Sequence, residues 1–326
     1  MIITTLLIAT SVFAATDRTY SDVKVFLQNL AKNHPDTTQV FKLGDSDSGE
    51  SILGVKIEQK DRNLRGSKIN NLVVGTHHGN EYGSTEVALG FAASVAEKPI
   101  QDQVLYVIPV LNISGYDSRN RYEKSSAGGY FDANRDYPGP CVKNPVRFNL
   151  KSTKALAQFI EAKHIVASAT LHTYSPYVLY PWGISTKDLK TEYDDLFKDI
   201  VKAAAQYSGY ETGNSTDLLY PADGTFEDYA FWHNGVWSIL FELGYSHSPN
   251  EEAVNEAVKK NVPGLRAMFE MTPREPAPHH DFTGKCDNSM KRFDRHDEWA
   301  SAISCEAPLS SMTYGARLVL RPLLLE

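Results

Sequence analysis

Apolar positions along this chain recur at two different periods, and the two periods alternate. Val23, Phe26, Leu27 and Leu30 fall at helical spacing, and Ser21 and Asp22 before them suit a helix N-cap. Short runs of mostly apolar residues at 52–57, 72–75, 104–111, 165–171 and 236–243 predict strands. Helical patterns separate them at 81–96, 152–163 and 189–207, and a further one at 251–271 closes the series. Strand and helix in turn predict an α/β fold: three α/β/α layers around a mixed, mostly parallel central sheet. In such folds ligands gather at the carboxyl ends of strands, so those ends are the places to look for chemistry.

Two of these ends carry metal-ligating side chains. The run at 72–75 leads into Gly75-Thr76-His77-His78-Gly79-Asn80-Glu81, in which His78 and Glu81 form an H-x-x-E pair. The run at 165–171 ends at His172. Two imidazoles and a carboxylate make a His2Glu zinc site with one coordination position left open, the arrangement of a catalytic zinc rather than a structural one. In a chain with ten histidines an H-x-x-E pair arises readily by accident, and a hydrogen-bonded histidine at a strand end is the competing reading. What shifts the balance is the order of residues downstream: Arg121, then Asp132-Ala133-Asn134-Arg135, then His172, Tyr220 and Phe241-Glu242-Leu243.

In that ordered set the chain resembles the zinc carboxypeptidases of the A/B type, the M14 metallopeptidases. The resemblance runs from about Tyr20 to about Met271. It takes in His172-Thr173-Tyr174-Ser175-Pro176, Leu179-Tyr180-Pro181-Trp182-Gly183, and Tyr220-Pro221-Ala222-Asp223-Gly224 through Glu227-Asp228-Tyr229-Ala230. It implies one zinc ion held by His78, Glu81 and His172. Asp132 is implied to orient a ligand imidazole, that of His78. Glu242 is implied to be the general base, and Arg121 the partner of the oxyanion, with Arg119 the competing candidate. Asn134 and Arg135 are implied to grip a substrate's terminal carboxylate, with Tyr220 closing over it. The residue before Asp228 sits at the floor of the specificity pocket in A/B-type relatives; here it is Glu227, and an acid there goes with C-terminal Lys or Arg. The implied partners are therefore peptide or protein C-termini.

Two rivals stand beside this reading. A cell-wall amidase of the same fold would cut peptidoglycan stem peptides. A non-catalytic zinc- or peptide-binding protein would have no need of a general base at Glu242.

The net charge is −7, and no cluster of Lys or Arg accompanies it, which argues against nucleic acid as a partner. Residues 1–15 read as an export signal: Met1 to Phe13 are largely apolar and uncharged, and small Ala14 and Ala15 suit cleavage. No Lys or Arg precedes the apolar stretch. Nothing else is long and apolar enough to span a membrane. The expected organisation is a catalytic domain over 16–272 and a C-terminal extension over 273–326, joined by the linker-like Thr272-Pro273-Arg274-Glu275-Pro276-Ala277-Pro278. Only a few residues separate the signal from Tyr20, so no folded prodomain is expected between them. In the extension, His279, His280 and His296 read as solvated polar residues, and 318–325 as a strand. The expected state is an exported monomer. Of the three cysteines, Cys286 and Cys305 lie near each other in the tail and are the expected disulfide, with Cys141 the odd thiol.

Overall fold

A computed structural model describes residues 15–59, 68–141, 148–185 and 190–286. The chain runs α1 (Tyr20–Asn33), β1 (Thr38–Asp45), β2 (Ser51–Glu58), β3 (Ile69–Gly75), α2 (Tyr82–Glu97), β4 (Gln103–Ile108), α3 (Ile113–Ser118), β5 (Glu123–Lys124) and β6 (Tyr130–Phe131). It continues through α4 (Lys151–Ala162), β7 (Ile165–His172), β8 (Tyr177–Tyr180), α5 (Asp194–Ala205), β9 (Glu211–Asn214), α6 (Ser215–Leu218), α7 (Phe226–Asn234), β10 (Trp237–Glu242) and α8 (Glu251–Met271).

Eight strands form one sheet in the order β1-β2-β4-β3-β7-β10-β8-β9. The pairings β4–β3, β3–β7, β7–β10 and β8–β9 are parallel. Those of β1–β2, β2–β4 and β10–β8 are antiparallel. The sheet is therefore mixed, with a parallel centre. Its central strands read as continuous apolar runs because both faces are covered: every residue of β4 and β7 is buried. Helices α2, α5 and α8 pack together against it, and α4 and α7 form another packed pair. Where α5 and α8 cross, Gly264 is required, because a Cβ there would lie 2.2 Å from the Ala204 carbonyl oxygen.

Helix α1 begins one turn earlier in its cap than the sequence suggested. Thr19, not Ser21 or Asp22, is the N-cap; its hydroxyl accepts from Asp22 N while the Asp22 carboxylate accepts from Thr19 N at 2.9 Å, a reciprocal capping box. The register of β1 on β2 shifts between Lys42 and Gly44.

The segment after α8 is not a free linker. Ala277 N donates to the Gly235 carbonyl at 2.8 Å, Trp237 Nε1 donates to the Glu275 carbonyl at 2.9 Å, and Phe282 packs edge-on to Trp182. His280 Nδ1 bonds the Trp232 carbonyl at 2.7 Å, while His279 is exposed and donates its main-chain nitrogen to the Tyr193 hydroxyl at 3.3 Å; among the described residues neither belongs to a group of metal-ligating side chains. This return path carries Cys286 to Cys141, and the two form a disulfide across 145 residues. The expected Cys286–Cys305 pairing is thereby overturned: nearness in the fold, not in sequence, selected the partner. Cys305, His296 and the strand expected at 318–325 lie outside the described residues. Among the described residues no helix is long and apolar enough to cross a membrane.

Candidate metal centre and substrate cleft

Three parallel strands deliver the site side by side. In register, Gly75 of β3 faces Leu171 of β7, and His172 of β7 faces Glu242 of β10. The turn after β3 is forced tight against α3: a Cβ on Gly79 would lie 1.9 Å from the Gly115 carbonyl carbon, so only glycine fits. Thr76 starts that turn in the left-handed region and is held by its hydroxyl, 2.6 Å from the Thr85 hydroxyl and 3.1 Å from the Pro109 carbonyl. The turn ends by placing Glu81 at the N-cap of α2.

His78, Glu81 and His172 converge, all buried, and they are the group of metal-ligating side chains found among the described residues. His78 Nδ1 lies 2.7 Å from Glu81 Oε1, His172 Nδ1 lies 3.0 Å from Glu81 Oε2, and the two Nδ1 atoms are 3.2 Å apart. One nitrogen of each ring and both carboxylate oxygens thus point at one locus, a donor set that fits zinc. His78 Nε2 is 3.0 Å from Asp132 Oδ1 on its far side, which fixes the ring's tautomer for ligation through Nδ1.

Arg121 binds Asp132 through Nε at 2.9 Å and Nη2 at 2.8 Å, and its Nη1 reaches to 3.3 Å from His78 Nδ1. Burial alone would lower the Arg121 pKa, but Asp132 and Glu81 outweigh it and hold the guanidinium firmly charged. Burial would raise Asp132, yet Arg121 and His78 keep it well below the usual carboxylate range. Arg119, the competing candidate, is elsewhere. It caps α3 and its guanidinium donates to the Thr16 and Arg18 carbonyls at 3.2 and 3.0 Å.

Glu242 lines the cleft at the end of β10, and its Oε2 is buried with no hydrogen-bond partner. Burial, then the charge of Glu81, pushes this carboxyl well above the ordinary range. The same cleft is lined by His78, His172, Asn134, Arg135, Tyr220 and Glu227. Arg135 donates to its neighbour's carbonyl at 2.6 Å and to the Tyr220 hydroxyl at 3.3 Å. Tyr220 is otherwise more than half exposed. Asn134 is buried, accepts from Phe226 N at 2.8 Å, and turns its Nδ2 toward Glu227 Oε2 at 3.5 Å. Every site residue picked from the sequence is in or against this cleft.

Others were not picked. Thr170 Oγ1 lies 3.3 Å from His172 Nε2 and 3.3 Å from His77 Nδ1, and His77 Nε2 lies 3.0 Å from the Tyr137 hydroxyl. With His172 ligating through Nδ1, its Nε2 would meet the Thr170 hydroxyl, Asn134 Nδ2 standing 3.4 Å away, so Thr170 is placed to orient His172 as Asp132 orients His78. Asp228 accepts twice from Gly183 N, at 3.1 and 3.0 Å. His247 Nδ1 is 3.9 Å from Glu81 Oε1 and 3.4 Å from the Thr173 hydroxyl. The sequence signals among these were the doubled histidine at 77–78 and Asp228, which follows Glu227.

A mixed sheet whose parallel strands end in a His2Glu donor set defines an α/β protein with a candidate metal centre at its strand ends. The description "Zinc carboxypeptidase" (Peptidase_M14) matches residues 23–264, so the chain belongs to the zinc carboxypeptidase family. It is 33% identical over 168 residues to human carboxypeptidase B, covering 42% of this chain and 40% of that one. To zinc carboxypeptidase A 1 of Drosophila melanogaster it is 26% identical over 259 residues, covering 68% and 60%. The match thus spans about two fifths to three fifths of these relatives' lengths. The solved carboxypeptidase A of Helicoverpa armigera shares the fold, with a TM-score of 0.69 at 18% identity over 79% of this chain and 74% of that one. Zinc is the metal of the family, and the donor set here fits it.

Proposed function

We propose that the protein removes C-terminal residues from peptides by zinc-dependent hydrolysis. The observation that carries this reading is the cleft itself: a general-base candidate, a carboxylate-binding guanidinium and the two ligand imidazoles line one space. His78, Glu81 and His172 would hold the zinc, which would supply Lewis acidity toward the scissile carbonyl and the attacking water. Glu242 takes the proton of that water and passes it to the leaving amine nitrogen. Arg121, held charged against Asp132, faces the oxygen on which negative charge develops. Asn134 and Arg135 bind the substrate's free carboxylate, and Tyr220 closes over it from the Arg135 side. Glu227, 3% exposed, forms the acidic floor and selects C-terminal Lys or Arg. The segment 1–15 carries the export leader; the disulfide of Cys141 and Cys286, a bond that persists in oxidising compartments, supports export.

The test is Glu242→Gln, which keeps the shape and removes the base. Bound zinc should stay at one per chain while turnover falls by at least about 100-fold. Undiminished turnover would sink the mechanism. Matched substrates ending in Arg, Lys, Phe and Leu, compared in wild type and Glu227→Ile, test the finer reading. A wild type preferring Phe or Leu removes Glu227 from specificity.

A further inference from the structure

Outside the cleft, the molecule holds another buried carboxylate, Glu86, paired with a guanidinium near the start of the described chain. Glu86 lies on α2, little more than one turn beyond the candidate ligand Glu81, and is 1% exposed. Arg18 meets it with Nε on Oε1 at 2.8 Å and Nη2 on Oε2 at 3.3 Å. A third donor points at the same carboxylate: the main-chain nitrogen of Ala15, 3.2 Å from Oε2. The segment between them is pinned. Arg119 holds the carbonyls of Thr16 and Arg18 and lies over the rings of Tyr82 and Tyr116 at 4.9 and 4.6 Å.

Small Ala14 and Ala15 suit cleavage in the sequence, and a cut between the two leaves Ala15 first. We propose that removal of residues 1–14 makes Ala15 a structural N-terminus, whose α-ammonium seats on the buried Glu86 carboxylate beside Arg18. The inference rests on the export-leader reading, with the cut placed between Ala14 and Ala15 rather than after Ala15. The bond between the Ala14 carbonyl and Ala15 nitrogen is hydrolysed by a leader peptidase. Water supplies the hydroxyl to Ala14 and a proton to the nitrogen, which takes up a second proton near neutral pH. An amide N–H at 3.2 Å thereby becomes a full positive charge at the same place, and a weak neutral donor becomes an ion pair in a buried setting. Before cleavage the carboxylate has Arg18 and a neutral amide; after it, two cations. The leader-bearing chain is accordingly less stable than the processed one, and the final increment of stability arrives only once the leader is gone. The increment is delivered to α2, the helix capped by Glu81.

Two separate measurements test this. First, the full chain is expressed in a secreting host and the recovered protein is sequenced from its N-terminus. Ala15 as the first residue is expected. An uncleaved chain overturns the leader reading, and cleavage elsewhere overturns the placement. Second, a chain beginning at Ala15 is released from a fusion and compared with its N-acetylated form, in wild type and in Glu86→Gln. Acetylation should lower Tm by about 3 °C in wild type and by less than about 1 °C in the variant. Equal shifts in both overturn the seating, whatever the terminus proves to be. Should Glu86→Gln not fold, the rate at which the wild-type α-amine is acylated near pH 8 decides the same point. It should be at least about 10-fold below that of the same chain in denaturant, and equal rates overturn the seating.

Discussion

At the scale of single residues, the site divides into what sequence spacing carries and what only space carries. His78 and Glu81 share one turn, and His172 and Glu242 each end a strand, so their positions follow from the elements around them. Thr170 reads as packing in a buried strand, although it stands two residues before His172 on β7 and so on the same face, whereas the contacts of His77 with Thr170 and Tyr137 arise between elements. Thr170→Val keeps the volume and deletes the hydroxyl that fixes the His172 ring. Zinc affinity should weaken about 10-fold, as for other groups that orient metal ligands, measured by competition with a chelating dye. Unchanged affinity would remove Thr170 from the site. Arg135→Ala asks a different question. Loss of a charge-assisted contact should cost a few kcal/mol in kcat/KM for substrates with a free C-terminus, on the order of 100-fold. The same peptides with amidated ends should lose far less. A like loss on both would mean that Arg135 does not read the carboxylate.

At the scale of elements, most long segments were legible, the eight-residue β1 excepted, and the short ones were not. Helix α8 matches its expected span because Asn250 caps it, accepting from Ala253 N at 2.9 Å, and Pro273 follows its end. The helix expected at 189–207 forms as Asp194–Ala205, with residue 189 itself outside the described part. Strands β8 and β9 have four residues each, too few for a period. Helix α7 reads Phe-Glu-Asp-Tyr-Ala-Phe-Trp-His-Asn and is buried on most sides, so no apolar stripe marks it. The two-residue strand β5 brings in a buried acid, Glu123, which accepts from the Ser152 hydroxyl at 2.6 Å. Burial pushes its pKa up to about 8, Ser152 opposing and Asp47 and Asp136 adding to the rise. In the unfolded chain the same group titrates near 4.5. Below that value both states are protonated and nothing is lost. Between about 4.5 and about 8 the unfolded state ionises first, so Glu123 erodes stability as pH rises, and above about 8 the loss levels off. Glu123→Gln should flatten this decline, a difference on the order of a few kcal/mol between pH 5 and pH 8 in urea unfolding. Parallel pH profiles for the two proteins would refute it.

At the scale of the whole molecule, the tail was misread because its contacts are distant in sequence. A proline-rich stretch after a helix suggests a linker, yet Pro273 to Cys286 lies back along α7 and β10 and is locked there by the disulfide. With 145 residues between its cysteines, the bond restricts the unfolded chain strongly, and removing it as Cys141→Ser with Cys286→Ser should cost about 4–5 kcal/mol. Urea unfolding of the two forms measures the difference, and non-reducing peptide mapping identifies the pair. A Cys286–Cys305 peptide in that map would contradict the structure.

The kink in β1 bears on how this protein behaves in company. Among the described residues β1 has β2 as its sole strand neighbour, so its outer rim offers eight residues of backbone to any other chain. A flat rim of that length is a template for runaway strand addition. The register shift between Lys42 and Gly44 breaks the ladder midway, and Lys42 and Asp45 face each other at 2.6 Å across it, both about half exposed. An incoming strand would have to match the kink and strip water from two charges at once. The opposite rim, β9, is four residues long and offers too little purchase. Concentrated solutions of the folded protein should therefore stay free of cross-β assemblies, with protection built into the irregular place where the sheet stops.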